Sequence, residues 1–199
     1  GDETIFSSRI LQNDPLVLRH VVAPRENLQK IANTYKITVP LICRINNLAD
    51  ANKIRQGQPL KVINGPFHAV VSKRDFRIYL YCQDTLVKTF PVALGAEGTT
   101  PAGTWRVKDK IVNPAYTPPR GGKTIAADDP ENPLGEYWMR LEGVSGDALG
   151  QEGYGIHGTN EPDKMGQNVS LGCIRLRNED AAQVYEMLVV RDSIVTVKD

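Results

Sequence analysis

Short segments between Phe67 and Val112 alternate apolar and polar side chains with period two, and turns separate them. That period matches the two faces of a strand and not the 3.6-residue repeat of a helix. In FRIYLYC, Phe76, Ile78, Leu80 and Cys82 share a face against Arg77, Tyr79 and Tyr81. In LVKTFPVAL, Leu86, Phe90, Val92 and Leu94 share one, with Lys88 the exception. TWRVKDKIV sets Trp105, Val107 and Ile111 against Arg106, Lys108 and Lys110. A Gly98-Thr99-Thr100-Pro101-Ala102-Gly103 turn divides two of these runs, and HAVVSK, EYWMRL and SIVTVK extend the pattern. The expectation is a mostly antiparallel β-sandwich or barrel. It carries a C-terminal helix capped by Asn178, with Ala181, Val184, Tyr185 and Leu188 on one face and Glu179 and Asp180 in the first turn.

Ahead of the strands, residues 16–63 read as strand, helix, helix, strand, so the whole chain is α+β. LVLRHVV is the first strand and Pro24 ends it. Asn27 is a plausible N-cap, and Leu28, Ile31, Ala32 and Tyr35 recur at helical spacing. Pro40 suits a helix start, because its missing N–H has no partner there in any case. Leu41, Ile45 and Leu48 form the second stripe. Residues 1–15 lack any sustained period and read as a poorly ordered lead-in. Asn64-Gly65-Pro66 is a short hinge, which leaves residues 16–63 and 66–199 as two units in contact.

The hydrophobic share of 41% suffices for a core. A net charge of +1 argues against nucleic acid, which demands a concentrated basic surface. No apolar run reaches the length of a membrane span. The first residue is glycine, which suggests a trimmed start, so the sequence leaves any export signal or lipid anchor open. Of the three cysteines, Cys82 reads as a core residue and Cys43 as part of the second helix; a Cys43–Cys82 bridge stays open. There is no C-x-x-C or H-x-x-x-H, so neither metal nor cofactor is expected.

The third cysteine stands in a different setting. Cys173 lies in Ser170-Leu171-Gly172-Cys173-Ile174-Arg175, and His157 in Ile156-His157-Gly158-Thr159. Only a few per cent of a free thiol is thiolate at neutral pH, and an imidazole within reach can take its proton. Glycines beside both permit tight turns and close approach by a substrate. Backbone amides around Leu171, Gly172 and Cys173 are candidate oxyanion donors, Arg175 is a candidate carboxylate partner, and Ser170 a candidate orienting group. The competing reading is an inert buried cysteine and an ordinary hydrogen-bonded histidine. His20 and His68 sit inside strand-like runs and read as structural. Asn113 to Gly135, with five prolines and three glycines, is a loop long enough to be functional or disordered.

Two resemblances sharpen this. HVVAPRENLQKIANTYKIT, RINNL and IRQGQPLKVI resemble a LysM module, a βααβ domain that binds N-acetylglucosamine-containing glycans. That family usually carries Pro-Gly-Asp where this chain has Pro24-Arg25-Glu26. Thr100-Pro101-Ala102-Gly103-Thr104-Trp105, Asn132-Pro133-Leu134-Gly135, Ile156-His157-Gly158-Thr159-Asn160 and SLGCIRLRNED resemble the catalytic domain of the YkuD L,D-transpeptidases, in that family's order. The resemblance implies Cys173 as the acylated nucleophile, His157 as its base and the Gly158 carbonyl as a third member. Ser170, Gly172 and Arg175 match the nucleophile's usual surroundings. Leu171 stands where the family commonly has histidine. Tyr116 and Trp138 are candidate walls of the donor site, with the long loop closing over it. The implied reaction joins peptidoglycan stems 3→3 with loss of terminal D-Ala. Water as acceptor would give an L,D-carboxypeptidase, and a protein amine an anchoring enzyme. A non-catalytic wall-binding protein is the reading from another class. The implied partners are peptidoglycan stem peptides and glycan strands, met by a monomer in the cell envelope outside the cytoplasm.

Overall fold

The computed structural model describes residues 5–9, 13–170 and 172–199, without the side chains of Glu97 and Ser170. The N-terminal unit pairs β1 (Val17–Val21) antiparallel with β2 (Pro59–Ile63) and packs α1 (Leu28–Tyr35) and α2 (Val39–Ile45) on them. The Asn27 side chain accepts from the Lys30 amide at 2.9 Å, which satisfies one orphan donor of α1. Helix α2 begins one residue earlier than expected, at Val39, with Thr38 as its cap and Pro40 in its first turn. Leu28, Ile31, Ala32, Leu41, Ile42 and Ile45 are buried against Leu60, Val62 and Ile63. Each of the buried Leu, Ile and Val side chains contributes roughly 1.5–3 kcal/mol.

The larger unit is an eight-stranded sheet in the order β11-β9-β8-β7-β12-β3-β4-β5. Its strands are β3 (Phe67–Ser72), β4 (Arg77–Cys82), β5 (Thr85–Pro91), β7 (Gly103–Val112), β8 (Tyr137–Gly146), β9 (Gly155–His157), β11 (Ile174–Arg175) and β12 (Ile194–Lys198). Only β12–β3 and β11–β9 are parallel; the other neighbours are antiparallel. A short parallel pair, β6 (Leu94–Gly95) with β10 (Asn168–Ser170), lies beside it. The sheet curls until its two edges meet. The Ala93 and Arg175 backbones exchange hydrogen bonds of 2.9 Å in each direction. This half-barrel matches the expected fold, and its closure ties the segment around Cys173 to the far edge of the sheet.

Two of the sheet's register shifts redirect side chains against the simple alternation. Val107 pairs with Leu141 and Asp109 with Arg140, which leaves Lys108 as an extra residue in β7. One extra residue exchanges the faces of everything beyond it. Lys110, expected outside with Arg106 and Lys108, turns inward. Ile111, expected in the core, is 42% exposed. Likewise Leu80 pairs with Lys88 and Tyr81 with Leu86, so Leu86 leaves the core face and is 48% exposed.

Inward-facing Lys110 meets the end of α3 (Asn178–Met187). Its ammonium donates to the carbonyls of Tyr185 and of Leu188, the latter at 2.7 Å, and lies 4.1 Å from the centre of the Tyr185 ring. These are carbonyls that no helical amide can reach. Desolvation lowers the Lys110 pKa to about 8. The neighbouring carbonyl, Glu186, accepts from the Thr38 hydroxyl at 2.5 Å, and the Glu186 carboxylate pairs with Arg44 at 3.0 Å. Helix α3 thereby touches both units.

The lead-in also differs from expectation where it is described. Ile5 and Phe6 are buried, and Phe6 stacks on Phe67 at 5.8 Å with Lys88 and Arg44 over its ring. Lys88, the polar exception on the inner face of β5, is covered by this aromatic ring. Lys61 holds the segment by donating to the carbonyls of Ser7 (2.6 Å) and Arg9 (2.8 Å). Cys43, Cys82 and Cys173 are all free thiols, so no bridge joins Cys43 to Cys82.

Candidate active site

His157 ends β9 and is 3% exposed. It lies between Trp138 of β8 and Arg175 of β11 in the sheet register. The Trp138 ring centre is 5.6 Å from that of the imidazole. Nδ1 of His157 lies 2.5 Å from the Gly158 carbonyl oxygen. A carbonyl only accepts, so Nδ1 carries the proton and Nε2 keeps its lone pair. Burial lowers the His157 pKa to about 4, with Arg175 adding to the effect and the Gly158 hydrogen bond opposing it.

Cys173 is half-buried, and its Sγ lies 3.9 Å from the Gly153 carbonyl oxygen. Burial raises the thiol pKa, while the Gly155 backbone hydrogen bond and the Arg175 charge lower it. Both shifts favour neutral partners at pH 7: a thiol and an unprotonated imidazole.

Cys173 and His157 line one cavity of about 720 Å³ together with Tyr116, Trp138, Tyr154 and Arg175. Tyr116 belongs to the long loop, which is built rather than slack. Tyr116 and Ile125 exchange backbone hydrogen bonds of 2.9 and 2.8 Å. Asn132, 3% exposed, donates to the carbonyls of Pro114 and Ala126 and accepts from the Leu134 amide. The Asn132-Pro133-Leu134-Gly135 run thus folds the loop back onto the cavity rim. Leu171 and the Ser170 side chain lie outside the described residues; the Ser170 backbone belongs to β10.

Three positioning groups escaped the sequence reading. Thr100 is buried; its hydroxyl donates to the Gly172 carbonyl at 2.8 Å and accepts from the Gly95 amide at 3.1 Å. Gly95 and Gly172 make this possible, since a Cβ on Gly95 would lie 2.6 Å from the Gly172 Cα. Gly172 has φ +121°, and a Cβ there would meet Tyr154 Cε1 at 2.5 Å. Tyr154 is thus the second group, packed under the turn that presents Cys173. The third is Asn178. Arg177, not Asn178, precedes α3 as its cap residue, without a side-chain bond to the helix. Asn178 instead accepts from the Thr159 amide and donates to the Thr159 carbonyl, both at 3.0 Å. Side-chain-free Gly135 and Gly158 leave it the room. Paired glycines in distant motifs were the available signal for close backbone approach; nothing in the sequence paired them.

A curled β half-barrel thus carries a cavity lined by both Cys173 and the buried His157. A family model of the L,D-transpeptidase catalytic domain (YkuD) matches residues 66–197, and one of the LysM domain matches residues 20–62. The chain belongs to the YkuD L,D-transpeptidase family, with a LysM domain ahead of the catalytic one. A putative L,D-transpeptidase YkuD of Bacillus licheniformis is 32% identical over 86% of this chain and 94% of its own length. A putative L,D-transpeptidase YqjB of Bacillus subtilis is 32% identical over 68% of this chain and 73% of its own. An L,D-transpeptidase structure from Mycobacterium smegmatis shares the fold, with a TM-score of 0.52 at 20% identity over 72% of this chain and 64% of that one. The LysM domain implies peptidoglycan binding. Among the described residues no helix is long and apolar enough to cross a membrane.

Proposed function

We propose that this chain is a peptidoglycan L,D-transpeptidase in which Cys173 is the nucleophile and His157 the base. One observation carries the reading: the cavity that Cys173 lines is also lined by an imidazole whose Nδ1 is committed to the Gly158 carbonyl, leaving Nε2 as a proton acceptor. In the first half-reaction the Cys173 sulfur attacks the carbonyl carbon of the third stem residue and its proton passes to His157 Nε2. The C–N bond then breaks, and the imidazolium returns the proton to the departing D-Ala amine. A thioester remains. In the second half an amine from a neighbouring stem gives its proton to His157 and attacks the thioester. Cys173 leaves as thiolate and is reprotonated, and a 3→3 crosslink is made. Lowered basicity of His157 suits the return steps, since a weakly held proton transfers readily to an amine.

Arg175 is assigned to the terminal carboxylate of the donor. Its Nε is buried without a hydrogen-bond partner, and an anion would supply one. The turn at Leu171, Gly172 and Cys173 is assigned to the oxyanion, and Ser170 to orientation of the base. Tyr116 and Trp138 are the walls that hold the stem. Residues 16–63 act as the glycan-binding module and 66–199 as the catalytic domain, working as a monomer outside the cytoplasm. Glu26 keeps the LysM loop closed without the family's aspartate: its carboxylate accepts from the Ala23 amide at 2.6 Å, and Arg25 takes the left-handed φ of +65° expected of glycine there.

Muropeptides incubated with the protein and resolved by mass test the assignment. Crosslinked dimers lacking one D-Ala are the expected product. Tripeptides alone would reassign the acceptor to water, and unchanged muropeptides would favour the non-catalytic reading.

A further inference from the structure

The cavity around Cys173 carries more positive charge than one leaving-group carboxylate requires. Arg120, Arg140 and Arg175 all line it, and Glu152 is the one acidic residue in that lining. Glu152 already lies 3.8 Å from the Lys108 ammonium. Arg175 is committed to the nucleophile segment and faces Glu161 at 3.5 Å. Arg140 likewise faces a carboxylate, that of Asp109. Its Nε stands 3.6 Å from Asp109 Oδ1, beyond hydrogen-bond distance, and that oxygen has no hydrogen-bond partner. The Arg140 side chain is 46% exposed, so its remaining donors stay available to the cavity. Arg120 comes from the long loop, is exposed, and has no carboxylate within ion-pair distance among the described residues.

Guanidiniums with spare donors in one cleft are offset best by anions, and a carboxylate takes two N–H groups from one arginine. We propose that Arg120 and Arg140 form a second anion subsite, selecting an acyl donor that bears a free carboxylate besides the one on its leaving residue. This rests on the transpeptidase reading of the same cavity. Peptide stems offer two sources of such a group: the main-chain carboxylate of a γ-linked second residue, or the side-chain carboxylate of a diamino acid at the third. Converting either to a primary amide keeps size and removes the charge.

The test separates binding from chemistry. The protein with Cys173→Ala is titrated calorimetrically with three tetrapeptides: both carboxylates free, the second-residue carboxylate amidated, or the third-residue carboxylate amidated. One amidation is expected to weaken binding about tenfold, the scale of a charge-assisted hydrogen bond. Arg120→Gln, at an exposed loop position, should shrink that ratio to a few-fold, and Arg120→Gln with Arg140→Gln should abolish it. Raising the salt should shrink it too. Equal affinity for all three peptides overturns the proposal, as does a preference that persists in the double variant. Selective binding without turnover by the unsubstituted protein supports the subsite and counts against Cys173 chemistry instead.

Discussion

The catalytic assignment turns on one buried imidazole. His157 binds its proton with a pKa of about 4 in the fold, against 6.5 when exposed. Between those values the unfolded chain holds the proton and the folded chain does not. Stability from this group is therefore intact above pH 6.5 and is lost as the pH falls toward 4, by about 3 kcal/mol in total. Urea midpoints measured across that range should show the loss in the native protein and not in His157→Gln; parallel curves would contradict the buried, neutral histidine. Thr100 is the second residue to test. Thr100→Val keeps the shape and removes the buried hydrogen bonds to the Gly172 carbonyl and from the Gly95 amide, at a cost of about 1–3 kcal/mol. Acylation should slow by more than that stability loss explains, which single-turnover kinetics on the folded variant reads directly. Cys173, His157 and Gly158 could be singled out as candidates because each stands in a short motif. Thr100 was legible only as part of a turn, because its partner lies 72 residues further along the chain.

At the scale of elements, alternation located the strands and the bulges then redirected them. Leu86 and Ile111 looked like core positions, and the extra residues at Val87 and Lys108 put both on the outside. A bulge is set by pairing between strands, so a single strand's pattern does not announce it. The same bulge gives α3 its C-terminal cap. Lys110→Met fills similar space and leaves the carbonyls of Tyr185 and Leu188 without their donor. The expected loss is about 2 kcal/mol, with the amides of α3 exchanging faster than those of β3 and β4. Uniform acceleration across the sheet would place the effect elsewhere. The long loop is the opposite case. Its composition suggested function or disorder, and Asn132 decides for a built wall by tying both ends of the loop together.

The whole molecule joins its two units through more than the short hinge. Thr38, the cap of α2, and Arg44 within it meet Glu186 on α3, and Phe6 bridges to Phe67. The sequence implied contact from the hinge length alone, and the apolar pair Ile5 and Phe6 lay hidden in a stretch without period. Glu186→Ala with Phe6→Ala should raise the radius of gyration in small-angle scattering and expose the 64–66 segment to proteolysis, while each unit keeps its own fold. An unchanged radius and cleavage rate would mean that these contacts do not hold the units together. Fixed docking would hold the LysM unit at a constant distance from the cavity of the larger unit. All of it depends on a thioester at Cys173. The most direct measurement is the intact mass of the protein after exposure to a tetrapeptide stem. A gain equal to the stem less D-Ala and the thiol hydrogen, absent from Cys173→Ala, is the predicted result; the same gain in that variant, or none in the native protein, contradicts the account.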